Sequence, residues 1–174
     1  MSEPLPILTP PAAILRVKAR PVGPHDDSVV RALVPRMMAA MYAAPGVGLA
    51  APQVGVGLRL AVVDLMPDDT PMPRHLVNPE IVRVSEEWAT REEGCLSLPG
   101  HYADVSRPAR VLVRYMDLEG VRQEIEAEGL LAACLQHEID HLDGVLFVDH
   151  LSALKRNMIL RRLAKELKQK AAGG

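Results

Sequence analysis

The chain has 174 residues, 48% of them hydrophobic, enough to bury the core of one domain and too apolar for a disordered chain. Its net charge of −2 gives no global case for binding nucleic acid or membrane, and no apolar run approaches the roughly 18 residues a membrane span needs. The opening MSEPLPILTPPAAIL holds an acid and four prolines and no basic stretch ahead of an apolar one, so no secretory signal is expected, and Cys95 and Cys134 are expected to be reduced thiols in the cytoplasm.

Residues 1–24 read as extended and proline-punctuated. Asp26, Asp27 and Ser28 offer helix caps, and Val30, Leu33, Val34, Met37, Met38 and Met41 follow at helical spacing. Pro35 interrupts the pattern, so this helix is expected to kink or to begin there, and Pro45-Gly46 ends it. The segment GVGLAAPQVGVG (46–57) is small and glycine-rich. Strands are expected over 58–65, 76–84, 86–91 and 105–117, with Leu118-Glu119-Gly120 as a hairpin turn into 121–126. Gly129 to His141 reads as a buried helix stopped by Gly144. Ser152 caps a last helix to about Lys170, with Ile159, Leu160, Leu163 and Leu167 as its apolar stripe. Runs of short strands with helices between and after them predict an α+β fold: antiparallel or mixed sheets packed around a central helix, with a C-terminal helix. Residues 1–174 read as one domain, and 151–170 as its basic helix.

The central helix carries Gln136-His137-Glu138-Ile139-Asp140-His141, which contains H-E-x-x-H. Residues four apart on a helix sit about 40° apart around it and roughly 6 Å apart along it. His137 and His141 can therefore converge on one ion, and Glu138 can take a proton from water beside it. A catalytic site of this kind needs a third protein ligand. Cys134 shares the helical stripe, but its Cα lies roughly 7 Å along the axis from an ion midway between the histidines. A cysteine reaches an ion only about 4.5 Å from its own Cα, so Cys134 reads as a core thiol. Cys95 stands at a strand end and can approach from outside the helix, although taken alone it reads as a buried structural cysteine.

Three separated segments resemble the signature motifs of peptide deformylases. They are Gly46-Val47-Gly48-Leu49-Ala50-Ala51-Pro52-Gln53, Glu93-Gly94-Cys95-Leu96-Ser97, and the helical motif above, in the family's order and at comparable spacing. The resemblance implies one divalent ion held by Cys95, His137 and His141, ferrous iron natively, with zinc, nickel or cobalt possible in preparations. It implies Glu138 as general acid and base, with the Gln53 amide and the Leu96 N–H donating to the developing oxyanion. The substrate would be an N-formylmethionyl peptide, and formate the product. Val47, Gly48, Glu93, Gly94, Leu96, Tyr102, Ala133, Cys134 and His137 would border the substrate, with Gly46 and Gly48 letting its backbone approach. Glu93 would be buried and orient the loops, and Asp140 is expected to pair with Arg107. Tyr102 stands where many deformylases place an arginine, which bears on the preference beyond methionine and not on the chemistry.

Residues 151–170 hold seven basic side chains against Glu166 alone, a net of +6, so with the whole chain at −2 the remainder carries −8. The resemblance implies attachment of this helix to ribosomal RNA, and a monomer; otherwise the run is a solvated face. Two alternatives stand beside the deformylase reading. One is an H-E-x-x-H metalloprotease using Asp149 or His150 downstream, and the other is a noncatalytic deformylase-like protein on the ribosome.

Overall fold

The computed structural model describes residues 5–173 and arranges seven strands and two α-helices around a third, buried α-helix. In chain order these are α1 (Asp27–Ala43), β1 (Gly48–Ala50), β2 (Leu60–Val63), β3 (Arg74–Val84) and β4 (Trp88–Cys95). There follow β5 (Leu98–Pro108), β6 (Arg110–Met116), β7 (Arg122–Glu128), α2 (Gly129–Leu142) and α3 (Ala153–Gly173), with a 3-10 turn at Phe147–His150. One sheet has the order β1-β2-β3-β6-β7, and β4 and β5 form a separate ribbon. Every pairing of these strands is antiparallel, and a single parallel bridge joins Arg20 to Leu58. The expected α+β class, central helix and C-terminal helix are all present.

β2 lies between two helices, which is why all four of its residues are buried. Ala61 and Val63 join Leu135, Ile139 and Leu142 of α2 in one cluster, while Leu60 and Val62 join Val34, Met37 and Met41 of α1 in another. A third cluster unites Leu98 and Val105 of β5 with Leu146, Phe147 and Val148 and with Leu163 of α3.

Several boundaries differ from the expected ones. α1 does not begin at Pro35 but continues through it, because the apolar stripe around it is buried and outweighs the missing N–H. Asp26 does not cap α1 with its side chain; it accepts from the Gly23 N–H at 2.8 Å and pairs with Arg20. The single strand expected over 105–117 is two, since the chain crosses from the ribbon to the sheet at Pro108-Ala109 and Ala109 N donates to Glu87 O. β1 lies in the segment given no strand, held by pairing to β2. The extended N-terminal segment contains 3-10 turns at Ala13–Arg16 and Pro24–Asp26, and its residues 1–4 lie outside the described ones. α3 begins after Ser152, whose Oγ accepts from Lys155 N, and runs past Lys170 to Gly173. Among the described residues, no helix is long and apolar enough to cross a membrane.

Candidate metal centre

α2 brings its polar residues under the sheet, where most have lost contact with solvent: Gln136, Glu138 and His141 are 5%, 3% and 1% exposed. His141 Nε2 lies 3.2 Å from His137 Nε2 and 3.3 Å from Cys95 Sγ. Among the described residues, Cys95, His137 and His141 form the one group of three or more His, Cys, Asp or Glu side chains able to hold an ion. Cys95 reaches it because the register of β4 and β5 shifts after Gly94, which faces Tyr102, so that Cys95 faces Leu98. The sulfur accepts from Ser97 N at 3.4 Å and from Gln53 Nε2 at 3.6 Å.

This donor set fits a first-row divalent ion. Bonds of about 2.0 to 2.3 Å in a tetrahedron place neighbouring ligand atoms roughly 3.3 to 3.6 Å apart, close to the spacing found here. Glu93 Oε1 lies 3.2 Å from His137 Nδ1, which assigns the proton to Nδ1 and leaves the Nε2 lone pair for the ion. The buried His141 Nδ1 has no hydrogen-bond partner. Burial alone would lower both imidazoles; hydrogen bonds from His137 to Cys95 and Glu93 instead raise it well above the usual histidine range, while burial keeps His141 well below it.

Glu93 sits as expected, buried and fixed. Burial pushes its carboxyl up, but bonds from His137 and from both Nε and Nη2 of Arg107, the latter at 2.6 and 2.9 Å, hold it down at about 2. Arg107 also donates to Asp140 at 2.8 Å, which bears out the expected pair. Glu138 is the opposite case. Its Oε1 has no partner, and burial pushes it up to about 7, between the forms that give and take a proton near neutrality.

A cleft of about 660 Å³ opens over these groups. Gln53, Cys95, Leu96, His137 and Glu138 line it, as do all the expected substrate-bordering residues: Val47, Gly48, Glu93, Gly94, Tyr102, Ala133 and Cys134. Cys134 is a buried thiol pushed well up by burial, outside the ligand group, as the reach argument required. Gln53 is 1% exposed; its Oε1 accepts from Ala50 N at 2.9 Å, which turns the amide NH₂ toward Ser97 Oγ at 3.0 Å and the sulfur. The two glycines make room for the protein's own side chains. A Cβ on Gly48 would lie 2.4 Å from Glu138 Oε2, and one on Gly46 would lie 2.6 Å from Leu96 Cδ1. The Tyr102 ring lies across Gly94 and forms an outer wall.

The metalloprotease reading loses its third ligand, because Asp149 caps Leu146 N and pairs with Arg16, and His150 pairs with Asp140. Sequence reasoning missed Ser97, Phe147 and His150 as supports. Ser97 stood inside a quoted motif, whereas the other two had no signal, being brought in only by the turn after α2. Phe147 stacks on His137 with ring centroids 6.4 Å apart.

Comparison with known proteins gives the same result. A family model for polypeptide deformylases matches residues 4–157. A peptide deformylase of Mesorhizobium japonicum is 52% identical over 97% of this chain and 96% of its own. A crystal structure of a peptide deformylase from Legionella pneumophila has a TM-score of 0.89 and 49% identity, covering 97% of this chain and 98% of that one. One from Ehrlichia chaffeensis, solved in complex with actinonin, has a TM-score of 0.89 and 40% identity, covering 95% and 98%. The chain therefore belongs to the peptide deformylase family of enzymes.

Proposed function

We propose that this protein hydrolyses the formyl amide of N-formylmethionyl nascent peptides and releases formate, with 1–174 acting as one catalytic domain. The observation that carries this reading is the convergence of Cys95 Sγ and the His137 and His141 Nε2 atoms beside an unpaired, buried Glu138. Cys95, His137 and His141 would hold one divalent ion, ferrous iron in the cell, with zinc, nickel or cobalt able to occupy the same ligands. When bound, such an ion supplies Lewis acidity and makes water a nucleophile near neutral pH.

The remaining steps belong to the protein. Glu138 takes the proton of the attacking water and returns it to the leaving amine, a task suited to a carboxyl raised to about 7. The Gln53 amide and the Leu96 N–H donate to the oxygen that gains charge as the formyl carbon becomes tetrahedral, an effect worth about 3 kcal/mol per donor. Gln53 is held for this by Ala50 and Ser97, so little reorganisation is needed. Methionine would enter the apolar part of the cleft between Val47, Leu96, Ala133 and Cys134. Gly48 keeps β1 close to Glu138, and Tyr102 bounds the path of the residues after methionine.

The seven basic side chains of α3 form no ion pair among the described residues, and Glu166 is taken by His101. That unpaired charge supports docking of α3 on ribosomal RNA, by a monomeric protein working in the cytoplasm.

The deciding assay uses formyl-Met-Ala-Ser and protein purified without oxygen. Formate release is expected, and Glu138→Ala should lose about 10²- to 10⁴-fold in kcat while keeping its metal. An intact metal content without formate release would overturn the reading, and cleavage of internal peptide bonds would restore the protease alternative.

A further inference from the structure

A line of contacts runs from the surface to His137. Its outer end is His150, the last residue of the Phe147–His150 turn, with a side chain 33% exposed. His150 Nε2 lies 2.8 Å from Asp140 Oδ2, and the same oxygen accepts from Arg107 Nη1 at 2.8 Å. Arg107 donates through Nε and Nη2 to Glu93, and Glu93 meets His137 Nδ1 at 3.2 Å. Exposure falls from 33% at His150 through 25% at Asp140 to 6% at Arg107 and 8% at Glu93, so the inner contacts lie away from water and are strong.

The arrangement divides one guanidinium between two carboxylates. A bond from His150 satisfies part of Asp140 and leaves more of Arg107 for Glu93, which in turn sets how firmly Glu93 holds the Nδ1 proton of His137. The turn that carries His150 is itself fixed. Asp149 accepts from Leu146 N at 2.9 Å and from Arg16 at 2.5 Å, and Leu146, Phe147 and Val148 are buried. Phe147 packs on the His137 ring from the same turn.

We propose that His150 is a positioning residue for the metal centre, acting through Asp140, Arg107 and Glu93 on the orientation and donor strength of His137. This deepens the deformylase reading and rests on it. Removing an outer partner of a metal-bound histidine costs about 10- to 100-fold in affinity or activity, and His150 stands further out, so an effect of about tenfold is expected.

The test compares wild-type protein with His150→Phe and His150→Gln, each loaded with cobalt(II). Glutamine can present Nε2 to Asp140 as histidine does, and phenylalanine cannot. His150→Phe should bind cobalt about tenfold more weakly, shift the visible cobalt spectrum, and lower kcat with KM unchanged. His150→Gln should restore all three. Should His150→Phe fail to fold, His150→Ala replaces it and is read the same way. Wild-type cobalt affinity and spectrum in His150→Phe would overturn the proposal, as would failure of glutamine to restore them. An active wild type with an indifferent His150 sinks this inference alone, whereas a wild type that releases no formate sinks the deformylase reading.

Discussion

α2 and α3 are both amphipathic helices, and the fold treats them in opposite ways. α2 buries eight of its 14 residues, with Gln136, Glu138 and His141 among them, whereas Leu163 is the one buried residue among the 21 of α3. Polar groups sealed around α2 have lost water, so each must be paired or be reactive. Charges on α3 keep their water and matter little to the fold. The family match draws the same line, since it spans all of α2 and stops five residues into α3. A polar residue in a helix therefore points to chemistry only when the surrounding sheet has taken the solvent away.

The strongest way to break this contrast is Arg107→Met. It leaves Glu93 and Asp140 facing each other's charge with no cation between them, and Glu93 is 8% exposed. Unpairing a buried charge costs about 3–5 kcal/mol. Thermal unfolding should show a marked fall in Tm; a Tm equal to wild type would mean that this network behaves like surface pairs and that the site around α2 is not sealed. On the other side of the comparison, Leu163→Ala tests how α3 is held. Leu163 is 2% exposed within the cluster of Phe147 and Val148, so a loss of about 2 kcal/mol is expected, with deformylation in the folded fraction unchanged. Lost activity at full folding would show that α3 reaches into the site.

A finer cut separates fold from chemistry inside the buried region. Gly48→Ala places a methyl 2.4 Å from Glu138 Oε2, and the carboxylate must move. A displacement of about 1 Å can cost a hundredfold, so kcat should fall about 10- to 100-fold while metal content and Tm stay near wild type. Metal lost in step with activity would show that Gly48 serves the ligands and not Glu138.

Much of this was legible in the sequence, for reasons that differ by residue. H-E-x-x-H fixed its own geometry because a helix sets the spacing of His137 and His141 without help from the rest of the chain. The exclusion of Cys134 followed from the same helix and a bond-length limit. Cys95, Gln53 and Glu93 could be placed only through the resemblance, since their approach depends on the register shift after Gly94 and on β1, a strand of three residues invisible to periodicity. A second constraint on Gly48 was not legible, because close packing of Glu138 against β1 is a property of two distant segments. The option that α1 begins at Pro35 failed for a related reason: burial of α1 outweighs the local cost of proline, and no local pattern reports burial.

The smallest expected effect on the fold is also the sharpest statement about α3. Arg161, Arg162, Lys165 and Lys168 carry charge that no carboxylate balances among the described residues, while Glu166, which could have paired along the helix, turns to His101 instead. Replacing those four with glutamine should leave stability within about 0.5 kcal/mol of wild type, as isolated surface charges do. Deformylation of a short formyl peptide should not change, because none of the four lines the cleft. Co-sedimentation with ribosomes at low salt should fall, and its dependence on salt should flatten, since fewer counterions are released for each contact removed. If the variant sediments with ribosomes as the wild type does across a salt series, α3 is a solvated face held by Leu163, and its excess charge has no polyanion to meet.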